Sequence, residues 1–145
     1  MGRLAGVHQL WGWSGLLVFA ALGLGLETLS GLKVGFFLDP ASELRRELWR
    51  LAHAHGTLLS ILQLVFAGAL ARGVVASEER AQLASRFLRA ALLLMPIGFF
   101  LGGTAPSESD PWPGIWLVPL GGAFLLLGLG VTALEAWHSR AHGPV

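Results

Sequence analysis

Histidine is the residue type in this chain best suited to chemistry, and two of the five histidines lie two positions apart in an apolar stretch. These are His53 and His55, between Trp49 and Thr57. A histidine ring can ligate a metal, exchange a proton near neutral pH or donate a hydrogen bond. Because an ionisable side chain inside a membrane is costly, it indicates function. This segment is therefore the first candidate site.

The spacing of the two histidines limits what they can do together. Residues two apart on an α-helix point about 200° away from each other, so His53 and His55 cannot both ligate one ion on an unbroken helix. Steps of three and four residues lead from His53 along a small and polar face, which is predicted to point into a bundle: Gly56, Ser60, Gln63 and Ala67. His55 lies in line with leucines instead. The simplest interpretation is that each ring donates one hydrogen bond to a neighbouring carbonyl or to Glu27.

Acidic residues near the same predicted depth raise a second hypothesis, a metal site. Glu27 ends the first apolar stretch, and Asp110 lies in a later connection, close in sequence to Glu108. Carboxylates and imidazoles together suit zinc, iron or copper, and such a pair could also relay protons. The predicted cluster consists of Glu27, His53, His55 and Asp110.

A third hypothesis uses the histidines at the other end of the predicted helices. His8 is near the start of the first apolar stretch and His138 is just beyond the last. The two are expected at similar depth, where they could ligate haem b from both faces. Two unligated histidines near helix ends are the alternative.

The elements that must position these residues are four stretches without Asp, Glu, Lys or Arg: 4–26, 51–71, 90–107 and 114–134. About 20 apolar residues in a helix cross a hydrocarbon core of about 30 Å. The sequence therefore predicts an all-α polytopic membrane protein, a single four-helix transmembrane domain over 1–145. The predicted spans are about 5–29, 50–71, 87–105 and 114–137, and helices 2 and 3 are expected to extend beyond the bilayer.

Capping residues predict where the helices begin. Asp39 followed by Pro40 predicts an N-cap and a second helix running to Ala71. Ser77, followed by two glutamates, predicts the start of a third helix ending near Gly103. The prolines of segment 111–113 should separate the third span from the fourth.

Composition and charge exclude several classes of function. The chain is 54% hydrophobic and only 13% charged, and its net charge of +1 includes no basic stripe, so a nucleic-acid partner is not expected. The absence of cysteine excludes disulfides and thiolate chemistry. Any redox chemistry would need a bound cofactor, either haem b or a transition metal.

The basic residues predict an orientation in the membrane. Six arginines fall on one predicted side, Arg3, Arg72, Arg80, Arg86, Arg89 and Arg140, and four basic residues on the other, Lys33, Arg45, Arg46 and Arg50. The excess predicts that both termini are cytoplasmic, in a bacterial inner membrane. The first apolar run is longer than that of a signal peptide, so it is interpreted as an uncleaved span.

Glycine is abundant, with 20 residues, many of them inside the predicted spans. Small residues let membrane helices approach closely. Glycines such as Gly98 and Gly102, four apart in the third span, therefore predict packing either within the bundle or against a partner. That partner would be another membrane-protein subunit or a second copy of the chain.

The segment from Arg50 to His55 resembles the Arg-x-x-His-x-Asn pattern before the second span of the four-helix family of membrane-associated eicosanoid and glutathione enzymes. His55 stands where that family has asparagine, and the family's later arginine motifs are absent. The resemblance covers about six residues. It implies an enzyme as a distant alternative and does not justify assigning glutathione transfer.

Three classes of function follow from these features, and enzymatic activity stays open among them. The first is a noncatalytic structural or accessory subunit of a larger membrane complex, favoured by small size and abundant glycine. The second is a histidine-dependent haem- or metal-binding protein in electron or proton transfer. The third is a small oligomeric membrane enzyme or transporter.

Overall fold

Four long apolar helices and one short helix make up a computed structural model that describes residues 1–39, 42–106 and 110–141. The helices are α1 (Gly2–Gly31), α2 (Gly35–Leu38), α3 (Glu43–Ala71), α4 (Glu78–Gly102) and α5 (Leu117–Ala141). Helices α1, α3 and α4, and the segment Pro113–Ser139 that includes most of α5, are long and apolar enough to cross a membrane. The predicted fold class is confirmed: the chain is a small integral membrane protein with a helical bundle.

The second long helix begins later than Asp39 and Pro40 predicted. Asp39 ends the short helix α2, which the sequence analysis missed, and Ser42 precedes the first turn of α3. Pro40 lies outside the described residues. The connection is held by side chains, since Arg46 Nη1 donates to the carbonyls of Phe37 and Asp39 at 2.8 and 2.9 Å. The backbone at Asp39 has a ψ of 134°, which is not helical, so the helix does not continue back through Asp39.

The start and end of α4 agree with the prediction. Ser77 is its N-cap, with Oγ accepting from the Arg80 amide, and the helix ends at Gly102. The tight connection from α3 turns at Gly73, whose φ of +68° suits a residue without a side chain. A 3₁₀ turn at Pro113–Trp116 leads directly into α5.

The long helices are arranged as a central pair with one helix on each flank. Helices α3 and α4 pack against each other, α1 packs mainly on α3, and α5 packs on α4. Within the described residues, α1 and α5 do not contact each other. In the most apolar stretch of each helix, 44% of residues are buried in α3 and in α4, but only 6% in α1 and 11% in the segment containing α5.

Small residues line the contact between α1 and α3. A side chain added at Gly12 would meet Leu64, one at Gly15 would meet Ser60, and one at Gly23 would meet the His53 ring. On the other helix, Gly56 accommodates the Phe19 ring. Successive positions along α1 face successively earlier positions of α3, as expected for an antiparallel pair with closely approaching backbones.

Glycines also line the contact between α4 and α5. Gly98 faces Val118, and Gly102 faces Ile115, while Gly121 of α5 faces Met95. Packing within the bundle is therefore confirmed at these positions. Val118 of α5 and Ile115 of the 3₁₀ turn that precedes it occupy this face, so the alternative expectation, that Gly98 and Gly102 form a partner-binding face, stays a prediction without support.

The first residue of α1, Gly2, and the last residue of α5, Ala141, lie at the same end of the bundle. We call this the inner end and the opposite end the outer end. Buried hydrophobic residues near the inner end form a cluster that includes Phe66, Leu70, Val75, Ala81 and Leu88. A second cluster of Leu59, Leu92 and Met95 lies further along α3 and α4. The core therefore lies between the two central helices.

Candidate functional site

Three polar side chains form a hydrogen-bonded group inside the inner half of the bundle. His8 of α1, Gln63 of α3 and Ser85 of α4 are all fully buried. His8 Nδ1 contacts Gln63 Oε1, and His8 Nε2 lies 2.8 Å from Ser85 Oγ. Gln63 Nε2 donates to the Leu88 carbonyl at 2.9 Å. This group, the His8 network, connects three helices.

The positions of the hydrogens follow from these partners. Because Gln63 Nε2 donates to a carbonyl, its Oε1 must be the atom that faces His8, and an amide oxygen only accepts. His8 Nδ1 therefore carries a hydrogen and donates. In a neutral ring Nε2 then accepts, and the Ser85 hydroxyl supplies the hydrogen. Both nitrogens of the ring are fully used inside the protein.

The sequence analysis did not connect these residues. Each lies about two turns from the inner end of its helix, so antiparallel packing brings all three to the same depth. The ring of Phe66 packs edge-on against His8, with centroids 4.7 Å apart. The signal in the sequence is this equal depth, together with the interior face of α3 on which the periodicity places Gln63; no pattern in the sequence singles out Ser85.

The structure does not bring His8 and His138 together. His138 Nδ1 donates to the Leu134 carbonyl of its own helix at 2.7 Å, and its side chain is exposed. The helices that carry the two histidines are on opposite flanks. The haem hypothesis stays a prediction, and this arrangement gives it no support.

His53 connects α3 to α1 in the outer half of the bundle. Its Nδ1 donates to the Phe19 carbonyl at 2.7 Å. The ring reaches that carbonyl because Gly23, one turn further along α1, has no side chain in its path. The prediction that His53 faces the interior, on the same face as buried Gly56 and Ser60, is confirmed.

His55 has a different neighbour from His53. Its Nδ1 donates to the Leu51 carbonyl of the same helix at 2.9 Å, and its ring lies 4.7 Å from that of Phe99 in α4. The two outer histidines thus point towards different helices, as their spacing predicted. Each bonds a backbone carbonyl, which was the simplest interpretation of both.

The acidic residues of the predicted metal cluster do not assemble around these histidines. Glu27 and Asp110 are exposed, while His53 and His55 are half-buried. In the ranges that the structure describes, no group of three or more His, Cys, Asp or Glu residues could hold a metal ion. Glu108 lies outside those ranges. The four-residue metal site stays a prediction without support from this arrangement.

An ion pair that the sequence analysis missed joins α4 to α5 at the inner end. Glu135 is buried, with 6% of its surface exposed. Its carboxylate pairs with Arg80 and accepts from the Ser77 amide at 3.2 Å. Glu135 is the single acidic residue of α5, and it lies at the same predicted end of the bundle as Arg80, so the sequence contains the signal for this pair.

Two neighbouring pockets that share no lining residue lie between α1 and α4, and together they are called the cleft. Its larger section has a volume of about 660 Å³ and is apolar. It extends from Trp11 towards the outer end of the bundle. A smaller section of about 370 Å³ lies at the inner end, where its charged residues are Arg3, Glu78, Arg86 and Arg89. No pattern in the sequence predicted the cleft, because it depends on how the two helices diverge.

Comparisons with known proteins identify no relative. No protein-family model, no curated protein and no solved structure matches this chain. The resemblance at Arg50 to His55 therefore remains one of six residues. What the fold itself defines is a class, the small polytopic α-helical membrane protein.

Proposed function

We propose that this protein is a noncatalytic accessory subunit of a larger membrane complex, and that α5 is the helix that contacts the partner. The observation that carries the proposal is the position of α5. Among the long helices it packs on α4 alone within the described residues, and only 11% of the residues in the most apolar stretch of its segment are buried.

The glycines of α5 divide between two faces. Gly121 and Gly128 pack closely on α4. Gly122 and Gly130 have no atom near the position of an added side chain, so α4 does not require them. A glycine in a helix costs about 0.5–1 kcal/mol relative to alanine. Small residues on a free face favour close approach of another membrane helix.

Further exposed residues extend this free face along the helix. Ala123 and Gly130 are two turns apart on the same side of α5. We call the exposed residues on this side the α5 outer face: Pro119, Ala123, Leu126, Gly130, Ala133 and Trp137. It combines small residues with large apolar neighbours, which is the composition of a membrane helix interface.

The polar side chains inside the bundle support a structural role rather than catalysis. His8, Gln63 and Ser85 use their hydrogen-bonding groups to join three helices, and Glu135 joins two. Catalysis needs a nucleophile, acid or base that can reach a substrate. These groups are instead committed to contacts within the chain.

A pair of matched substitutions tests the proposal. Gly130→Leu adds a large side chain to the α5 outer face, and Gly25→Leu adds the same side chain to an equally open position on α1. After mild detergent extraction from the native membrane, the wild type and the Gly25 variant should retain a copurifying membrane protein. The Gly130 variant should lose most of it.

Three outcomes contradict the proposal. The first is a wild-type chain that purifies alone, and the second is a Gly130 variant that retains its partner in full. The third is copurification with a second copy only, which would identify a self-associating protein instead of a subunit of a mixed complex.

A further inference from the structure

The two sections of the cleft belong to one surface that runs along the same faces of α1 and α4. On α1, residues at steps of three and four continue from the inner section into the apolar one: Arg3, Val7, Trp11, Ser14, Val18 and Leu22. The α4 side continues in the same way: Gln82, Arg86, Arg89, Leu93, Ile97 and Phe100. The cleft is therefore basic at its inner end and apolar beyond it.

Arg89 lies at the junction of the two sections. Its guanidinium carbon is 6.0 Å from the centroid of the Trp11 ring, and its Nε donates to the Ser85 carbonyl at 3.3 Å. Arg3 and Arg86 line the same inner section, and Glu78 is its single acidic residue. Among the described residues the ion pair present is Arg80 with Glu135, so none of these three arginines is neutralised by a carboxylate.

We propose that this cleft binds one anionic phospholipid, with its phosphate at Arg3, Arg86 and Arg89 and an acyl chain along the apolar section. Arginine hydrogen bonds to phosphate are strong and directional, and basic pockets between membrane helices bind anionic headgroups. The inference is independent of the proposed α5 interface, which lies on the other flank of the bundle.

The length of the apolar section fits one leaflet. From Arg89 to Phe100, α4 rises about 16 Å, and half of a hydrocarbon core of about 30 Å is about 15 Å. The apolar section is therefore long enough for one acyl chain to lie along it from the arginines.

The shape of the cleft favours a lipid over a partner helix. At the inner end α1 and α4 are close enough for His8 to bond to Ser85 at 2.8 Å. A helix about 10 Å in diameter does not fit between the two backbones at this end, so a partner helix could not run along the whole cleft. Two arginines in excess over acids also suit a phosphate better than an apolar helix.

Native mass spectrometry of the purified full chain tests this binding. The protein is mixed with equal amounts of phosphatidylglycerol and phosphatidylcholine that carry the same acyl chains. Phosphatidylglycerol should be retained preferentially. Its affinity should fall about twenty-fivefold in the double variant Arg86→Gln and Arg89→Gln, at about fivefold for each arginine. Arg72→Gln removes a charge at the same end but outside the cleft, so binding should not change.

A second variant separates the acyl-chain site from the charges. Val18→Trp fills part of the apolar section and leaves every arginine in place, so phosphatidylglycerol retention should fall while the thermal unfolding midpoint is kept. Wild-type retention by either cleft variant would overturn the proposal. So would equal retention of phosphatidylcholine, or full competition by inorganic phosphate, which would indicate an anion site without a lipid chain.

Discussion

His8 in the inner half of the bundle bonds through both ring nitrogens to side chains of two other helices, whereas His53 in the outer half bonds through one nitrogen to a backbone carbonyl. Among the described residues, Gln63 Oε1 and Ser85 Oγ have no hydrogen-bond partner other than His8. The Phe19 carbonyl, by contrast, belongs to a helix whose backbone already pairs internally. The difference indicates that two histidines in one apolar bundle contribute unequally to its stability.

Replacing His8 should have the largest effect on stability. His8→Leu leaves Gln63 Oε1 and Ser85 Oγ buried without a partner, at about 1–3 kcal/mol for each group. The free energy of unfolding should therefore fall by about 2–6 kcal/mol, as measured by denaturing-detergent titration in mixed micelles. A loss no larger than that of His53→Leu would remove the distinction between the two histidines.

Replacing Gln63 should cost less stability when His8 has already been replaced. In His8→Leu the remaining Gln63 oxygen is unsatisfied, so adding Gln63→Leu removes a buried polar group together with its need for a partner. The double variant should lose about 1–2 kcal/mol less than the sum of the two single losses. Additive losses would show that His8 and Gln63 stabilise the bundle independently.

The two outer histidines should differ from each other by a smaller margin. His53→Leu removes a hydrogen bond between α1 and α3, at a cost of about 1 kcal/mol. His55→Leu removes a hydrogen bond to the Leu51 carbonyl of the same helix. It should cost less because this bond does not connect two helices. The same unfolding titration checks both variants, and equal free energies would contradict the assignment of His53 as the helix-connecting residue.

Labelling of single cysteines should decide which end of the bundle is cytoplasmic, with the least effect on stability. Lys33 and Glu79 are exposed at opposite ends, and the chain has no native cysteine to interfere. With the arginine-rich inner end in the cytoplasm, Lys33→Cys should react with an impermeant reagent added from outside, and Glu79→Cys should not. The reverse pattern would place the His8 network at the external end.

Much of the fold could be predicted because it depends on local sequence. Uncharged stretches located the four long helices, and Ser77 located the start of α4. The start of α3 was misplaced because Asp39 and Pro40 match a capping pattern, while the true start depends on Arg46 reaching back to the α2 carbonyls. That contact joins residues whose relation appears only once the chain turns.

The sites were less predictable because they depend on the relative depth of several helices. The interior direction of His53 followed from the periodicity of one helix. The His8 network needed three helices in register, and the cleft needed the angle between α1 and α4. The periodicity of one helix predicts neither the register between helices nor the angle between them.

The central claim is that α5 is the partner-binding helix, and photo-crosslinking in the native membrane tests it most directly. A photoreactive amino acid at Leu126 would lie on the α5 outer face, and one at Leu17 would lie on the exposed surface of α1. We predict a discrete crosslink from position 126 to a different membrane protein, and crosslinks from position 17 to lipid alone. Crosslinks from position 126 to lipid alone, or the same protein product from both positions, would contradict the account.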